Sequence, residues 1–315
     1  VNAYTKKDAT VYYEVFPAKH LPQVIAMETD RLANIALTKK DVTSELEIVF
    51  EEMRMRIGSN FQAQQYIELE KLVFSAHPHG RPIIGLEEDL RALSLSDSNH
   101  FFSNFYHPEN ALAVIAGDFD FNATQALINN AYSKLQSHQT QRPKFAPPPL
   151  LSGEKSVYLK RPVQADSLLI GYRAPDLDDP DHLRLSFASK VLFGMDSSRG
   201  LVRMVREKKI ALSVGADQDS YPNGNLFTVS MNVRTGHTRQ EAQNEFDSLI
   251  ADFIREGVSD SEMARVKNSV TYSMLSESKS VFGFANWLAM GEFYWRNPDK
   301  VFEILNRYQT LTPSE

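Results

Sequence analysis

The 315-residue chain contains no cysteine. Disulfides and thiolate metal ligands are therefore excluded, and the composition suits an oxidising compartment without requiring one. No apolar run approaches the roughly 20 residues that a helix needs to cross a bilayer, so no membrane span is expected. An excess of positive charge is missing too. The 34 Lys and Arg against 40 Asp and Glu leave a net charge of −6, and no basic cluster dominates, which argues against a nucleic-acid partner. What remains, 42% hydrophobic and 23% charged residues, is the composition of an ordinary globular protein. The length suits two domains of usual size or one large one.

The stretch that organises the chain is 41–57, DVTSELEIVFEEMRMRI. Val42, Leu46, Val49, Met53 and Ile57 recur at steps of three and four, one stripe of an amphipathic helix. Glu45 and Glu52 sit beside that stripe. Seven residues make about two turns less roughly 20°, so the two carboxylates lie one above the other, with Val49 between them. Glu47 and Glu51 point further toward solvent. A carboxylate on a core-facing edge needs a cation, a metal or hydrogen-bond donors, because burying it unpaired is costly. By spacing alone the ordinary reading is a surface glutamate on an acidic helix.

In chain order, Asn2 to Phe16 reads as two strands joined by a turn at Lys6–Asp8. A helix starts at Pro17–Leu21 and runs to about Ile35. Thr38 or Asp41 caps the 41–57 helix and Gly58 ends it. Phe61 to Phe74 is helical, His77 to Gly85 is a loop, and Ser94 or Ser96 begins the next helix. The run Ala111 to Gly117, ALAVIAG, is expected as a buried strand, followed by a helix over 122–135. A polar, proline-bearing linker over 141–154 separates a first domain, 1–140, from a second, 155–315; its three consecutive prolines hold it extended. Beyond it, strands are expected at 156–158, 166–172, 211–216 and 226–233. Helices are expected at 180–192, 239–256 and 260–276, with one more through Arg206 capped by Ser197 or Ser198. Strands and helices recur in similar order in both halves. The fold class is therefore α+β, two similar domains, each a mainly antiparallel sheet with helices packed on one face.

Several stretches together resemble one family. Asn2-Ala3-Tyr4-Thr5 followed by Asp8-Ala9-Thr10 is similar to a strand pair of the pitrilysin-like zinc peptidases. Glu45, Val49 and Glu52 resemble that family's E-x6-E helix, and HPHGRPIIG (77–85) its H-P-aromatic-G loop. Residues 105–111 and 114–119 resemble its Y-x-P-x-N-A…G-D segment, and 164–175 with 194–208 its second domain. The resemblance covers nearly the whole chain and points to the bacterial two-domain branch. It implies a zinc-dependent metalloendopeptidase acting on peptides or unfolded segments, with Glu52 as a zinc ligand and Glu45 behind it, orienting a ligating histidine. Asn2, Ala3 and Tyr4 are read either as an edge beside which substrate backbone adds as a further strand or as an ordinary strand end.

Two departures qualify that reading. The family's H-x-x-E-H box, which holds two histidine ligands and the general-base glutamate, has no counterpart in these residues. By family spacing it is expected about 25 residues before Val1, with any targeting signal also upstream, and the chain is expected to be trimmed at both ends. The family's Arg and Tyr that bind the substrate carbonyl fall on Arg206 and on Ser213, or Leu212 with one deletion, and neither replaces a phenol. The break implies a heterodimer in which another subunit carries the Arg/Tyr pair, with a homodimer as the alternative. A non-catalytic structural or assembly subunit, or a peptide-binding module without metal, are the rival readings. His77 and His79 are read as part of a turn, Arg199 as paired with nearby acids, and the aromatic stretch 282–295 as core. The expected compartment is the bacterial periplasm. One carboxylate is not a metal site, so the 315-residue chain, purified and dialysed, should retain far less than one zinc per chain by elemental analysis. Stoichiometric tight zinc would refute this.

Overall fold

The computed structural model describes residues 2–75, 77–148 and 151–315. The elements are β1 (Asn2–Thr5), β2 (Thr10–Tyr13), α1 (Leu21–Asn34), α2 (Lys39–Met53), α3 (Phe61–Phe74), α4 (Glu87–Ala92), α5 (Leu95–Phe105), α6 (Phe121–Tyr132), β3 (Ser167–Ala174), α7 (Pro180–Leu192), β4 (Ala211–Gln218), β5 (Asn225–Val233), α8 (Arg239–Glu256), α9 (Asp260–Ser278), α10 (Val281–Trp295) and α11 (Lys300–Thr310). Two π-helical stretches, Arg54–Gly58 and Leu201–Glu207, interrupt this pattern. Helix starts follow local chemistry. Thr38 and Asp41, Ser94 and Asp97, and Thr238 and Glu241 form reciprocal capping boxes at α2, α5 and α8, each satisfying orphan backbone donors. The chain has an α+β fold with small antiparallel sheets. Contacts divide it into two compact units, 1–59 with 82–145 and 276–301, and 60–81 with 146–275 and 302–315.

In the first unit, β1 and β2 form a two-stranded antiparallel hairpin pairing Asn2 with Tyr13 and Tyr4 with Val11. Its turn is closed by Lys6 N–H donating to Ala9 C=O at 2.7 Å. α1 packs on α6 and α2 on α5. Burial here is thin: among the described residues only Leu21 and Ile25 are fully buried apolar side chains. The α2 stripe is legible but half-covered, and α2 has no buried residue. The run 111–117 forms no strand, and Ala111, Leu112 and Ala113 are exposed. A continuous apolar run signals a strand wanted on both faces, but a ladder needs a neighbour, and no described strand runs beside it.

The second unit holds a three-stranded antiparallel sheet of order β3-β5-β4. Phe227, Val229 and Met231 on one face of β5 pack with Leu192, Phe193, Met204, Phe246 and Leu249 into one core. Leu226, on the opposite face, packs with Val73 and Phe74 of α3. Gly171 on β3 makes room for that helix, since a Cβ there would lie 2.7 Å from Leu69 Cδ2. A further cluster joins α7, α9 and α11 through Phe187, Val191, Met263, Val266, Val270 and Tyr308. The strand expected at 156–158 is absent; those residues are exposed and pair with no described strand, though Arg239 lies over the Tyr158 ring. Their β-branched and aromatic character is real, but propensity without a partner strand does not make a ladder. Nor does Ser198 cap the helix after it: its hydroxyl is buried without a hydrogen-bond partner. Pro149 of the linker and Val1 lie outside the described residues.

This burial contrast is measurable. Phe246, 2% exposed on α8, should cost about 3–5 kcal/mol when changed to Ala. Ile254→Ala, on the same helix at 76% exposure, should stay within about 0.5 kcal/mol. Equal losses in urea denaturation would sink the core assignment.

Candidate functional site

The α2 helix carries Glu45 and Glu52 seven residues apart on one side. Glu45 is exposed and makes no hydrogen bond or ion pair among the described residues. Glu52 is half-buried, and Arg56 Nε donates to its Oε1 at 2.8 Å. Glu51 likewise pairs with Arg54. Both arginines belong to the π-helical stretch that follows α2, whose Ser59 N–H reaches back to Arg54 C=O. Such wide turns are uncommon and recur at functional sites. The cation that the sequence asks for is here an arginine one turn away.

Asn2, Ala3 and Tyr4 stand on β1. No other described strand pairs with the outer edge of β1. The Ala3 N–H is met by the side-chain Oδ1 of Asn2 at 2.8 Å, so a side-chain carbonyl satisfies a strand donor. Tyr4 turns its ring inward, and its hydroxyl donates to Asn286 Oδ1 at 2.9 Å. Burial, and then the nearby Tyr13, raise the Tyr4 phenol above its ordinary pKa, so it stays a donor.

Arg206 lies in the second π-helical stretch, exposed and with no partner among the described residues. Ser213 stands near the start of β4, just past an irregularity between Ala211 and Ser213. Asn232 Nδ2 on β5 donates to its Oγ at 2.8 Å. Leu212 is exposed on that edge. No phenol occupies either position.

The neighbouring arginines are engaged. Arg199 Nε and Nη2 hold Glu262 at 2.7 and 2.8 Å, and Nη2 also donates to Gly257 C=O at 2.7 Å. Arg203 pairs with Glu245 and reaches Asp252 at 2.5 Å and Ser248 at 2.8 Å. Lys208 Nζ donates to the other Glu245 oxygen at 2.6 Å. A cleft of about 290 Å³ opens between these side chains, lined by Ser197, Arg199, Arg203, Asp252 and Glu256. Each guanidinium facing it already has a carboxylate, so the cleft offers no free charge. The expectation that Arg199 pairs with nearby acids holds.

His79 docks on the β4–β5 turn, its Nδ1 2.9 Å from Gly224 C=O and its ring against Phe74 and Tyr221. A Cβ at Gly224, where φ is +76°, would lie 2.5 Å from His79 Nδ1. His77 Nδ1 accepts from the His79 N–H at 3.2 Å. This pair builds a turn, as expected. Among the described residues no three His, Asp or Glu side chains converge as a metal site. A catalytic zinc takes three protein ligands, so the residues present do not by themselves fit one.

A family profile described as "Peptidase M16 inactive domain" matches residues 92–270. The chain belongs to the M16 peptidase family. This bears out the pitrilysin-like resemblance. Two relatives, each named an uncharacterized zinc protease, come from Rickettsia bellii and Mycobacterium leprae. The first is 23% identical over 96% of this chain and 73% of its own length; the second is 26% identical over 86% of this chain and 61% of its own. A crystal structure of a protease from Helicobacter pylori superposes with a TM-score of 0.87 at 19% identity, covering 94% of this chain and 72% of that one. The chain thus spans roughly two thirds of the length of such M16 relatives.

Asn232 and Asn286, which hold Ser213 and Tyr4, had no local signal in the sequence, because both act across long separations. The Arg199 pair generates a pH prediction. Its guanidinium, helped by Ser259 and opposed by burial, holds the Glu262 carboxyl down from 4.5 to about 2. A depressed carboxyl stabilises the fold fully above its unfolded pKa and loses that contribution as protons bind. Stability should therefore fall between about pH 4.5 and pH 2, by on the order of 3 kcal/mol from this group. Glu262→Gln should flatten that limb in urea titrations; an unchanged acid limb would show that Glu262 is not the source.

Proposed function

We propose that the chain is part of a zinc-dependent metalloendopeptidase subunit that hydrolyses peptides or unfolded segments. The observation that carries this is the state of the two glutamates on α2. Among the described residues Glu45 is unengaged, and Glu52 is held only by a surface pair with Arg56. Such a pair is worth about 0–1 kcal/mol, far less than metal ligation provides, so Glu52 can be recruited at little cost. In this reading Glu52 is one zinc ligand and Glu45 orients a histidine ligand. The remaining histidines and the general-base glutamate come from an H-x-x-E-H element that is not among these 315 residues. The half-covered stripe of α2 and the exposed Ile48, Met55, Phe101 and Phe121 of the same unit support further polypeptide packing there.

Peptide substrate adds beside β1, its carbonyl taking the Ala3 N–H from the Asn2 side chain. Ser213 in the tyrosine position supports a partner subunit that carries an Arg/Tyr pair, with Arg206 left as a secondary contact. The absence of cysteine supports a bacterial periplasmic setting. A second reading, a non-catalytic assembly subunit of the same family, is favoured by one observation: Ser213 is already held by Asn232 and has no phenol to offer.

The protein expressed from its complete reading frame decides between them. On the first reading it holds one zinc and, assembled with a subunit that carries the Arg/Tyr pair, cleaves an internally quenched peptide. Glu52→Gln should lose the zinc and at least about 100-fold in kcat/KM, and Glu45→Gln about 10–100-fold. Unchanged zinc and activity in Glu52→Gln would overturn the ligand assignment; a wild-type protein with neither zinc nor activity supports the second reading.

A further inference from the structure

Helix α10 meets the hairpin in step. Phe282 lies against Tyr13, ring centroids 4.3 Å apart, and Tyr13 is paired with Asn2. One helical turn on, Asn286 accepts from the Tyr4 hydroxyl at 2.9 Å. A further turn on, Met290 Sδ lies 3.9 Å from Lys6 Nζ. The last turn brings the Tyr294 hydroxyl to 3.3 Å from Asp8 Oδ1. Helix residues four apart thus meet three successive hairpin levels two residues apart, at Tyr13 (paired with Asn2), Tyr4 and Lys6, and the fourth contact reaches Asp8 in the turn.

The match has a geometric cause. Four helical residues rise about 6 Å, and two strand residues advance about 6.6–6.8 Å. The two periods stay in register over the length of so short a hairpin. The first three contacts fall on one face of the ribbon, the face of Tyr4 and Tyr13, and the fourth caps its turn. Neither the outer edge of β1 nor its opposite face is covered by them.

We infer that α10 is a splint that sets the conformation of β1, with Asn286 as a positioning residue for the peptide-binding edge. The inference rests, for its functional half, on the reading of β1 as that edge. A lone two-stranded hairpin is marginal in water, and a frayed edge cannot present its donors in line. A peptide that adds as a strand must otherwise order β1 as it binds, which lowers its affinity. The splint removes that cost in advance. Because it lies on one face and leaves the edge open, it acts without competing with the peptide for backbone groups.

The test uses the 315-residue chain. Asn286→Leu removes the acceptor while keeping bulk, Tyr4→Phe removes the donor, and Asn286→Asp keeps an oxygen acceptor. Amide hydrogen exchange across residues 2–5 is measured by mass spectrometry. Binding of a fluorescein-labelled ten-residue peptide of alternating Val and Lys is followed by anisotropy. Asn286→Leu and Tyr4→Phe should each speed exchange in β1 about 3–10-fold and weaken the peptide by a similar factor. The double variant should lose no more than either single one, and Asn286→Asp should restore both readouts, with far-UV circular dichroism unchanged throughout. If Asn286→Leu leaves exchange in residues 2–5 unchanged, the splint is overturned. If exchange responds but the unmodified chain binds no peptide, the splint stands and the peptide-edge reading fails instead.

Discussion

A two-stranded ribbon has two faces and two edges, and burying at least one face is the constraint on which the first unit depends. Its helices do not supply a deep core: Leu21 and Ile25 are its only fully buried apolar side chains among the described residues. Stability of β1 and β2 must come from what lies across them. α10 supplies that cover from the far end of the sequence, through Phe282 on Tyr13 and Asn286 on Tyr4. On the other face Tyr12 meets Tyr106, with hydroxyl oxygens 2.7 Å apart, and Arg31 lies 5.5 Å from the Tyr12 ring. The ribbon is clasped by polar-tipped aromatics rather than sealed in aliphatic packing. Such side chains bury area while satisfying their own hydroxyls, which suits an element that keeps its edges open.

The second unit solves the opposite problem. Its sheet is buried by α8 on one face and by α3 over part of the other, and the apolar core needs no polar clasp. The charges gather instead where the π-helical stretch 201–207 leaves the normal helical ladder. Arg203, Lys208 and Glu245, with Asp252, tie that stretch to α8, and Arg199 with Glu262 ties its start to α9. Removing one member of such a half-buried set leaves its partner's charge stranded, which costs more than the pair itself contributes. The network therefore fixes geometry as well as adding stability. It also explains why arginine-rich chemistry next to a cleft is silent here, while Arg206, one turn beyond, has no partner among the described residues.

Local signals were legible in proportion to how local their causes are. The helices over 61–74, 180–192 and 239–256 have the bounds their periodicity and caps predict, because Asn60, Asp179 and Thr238 accept backbone N–H groups within their own first turns. The hairpin turn at Lys6–Asp8 is equally local. Strands failed where the cause is distant. Residues 111–117 and 156–158 have the composition of strands but no ladder beside them, and composition cannot report whether a neighbour exists. The aromatic spacing of 282–295 suggests core, but the stretch is a helix with Gly291 alone buried and Phe284 and Phe293 exposed, packed on the hairpin through Phe282 and Asn286. Its four-residue alignment with the hairpin appears only once both are placed. The family resemblance rests on short patterns with fixed spacing, whereas Asn232 and Asn286 belong to none of them.

The glutamates of α2 bring these strands together. Seven-residue spacing places Glu45 and Glu52 on one side of a helix, and that much follows from helical geometry alone. What they bind does not. In this chain the same carboxylate that family resemblance assigns to a metal is held by an arginine on the following π-helical turn. The two states are not rivals of similar weight. An exposed ion pair one turn apart is weak and screened by salt, and its arginine sits where the backbone already departs from regular helix. A ligand held in reserve by a weak local partner avoids the expense of an uncompensated carboxylate on a core-facing edge, yet yields when a stronger cation arrives with the rest of its ligands. On the reading proposed above, Arg56 holds the Glu52 carboxylate by a weak local pair that a metal with its other ligands would replace.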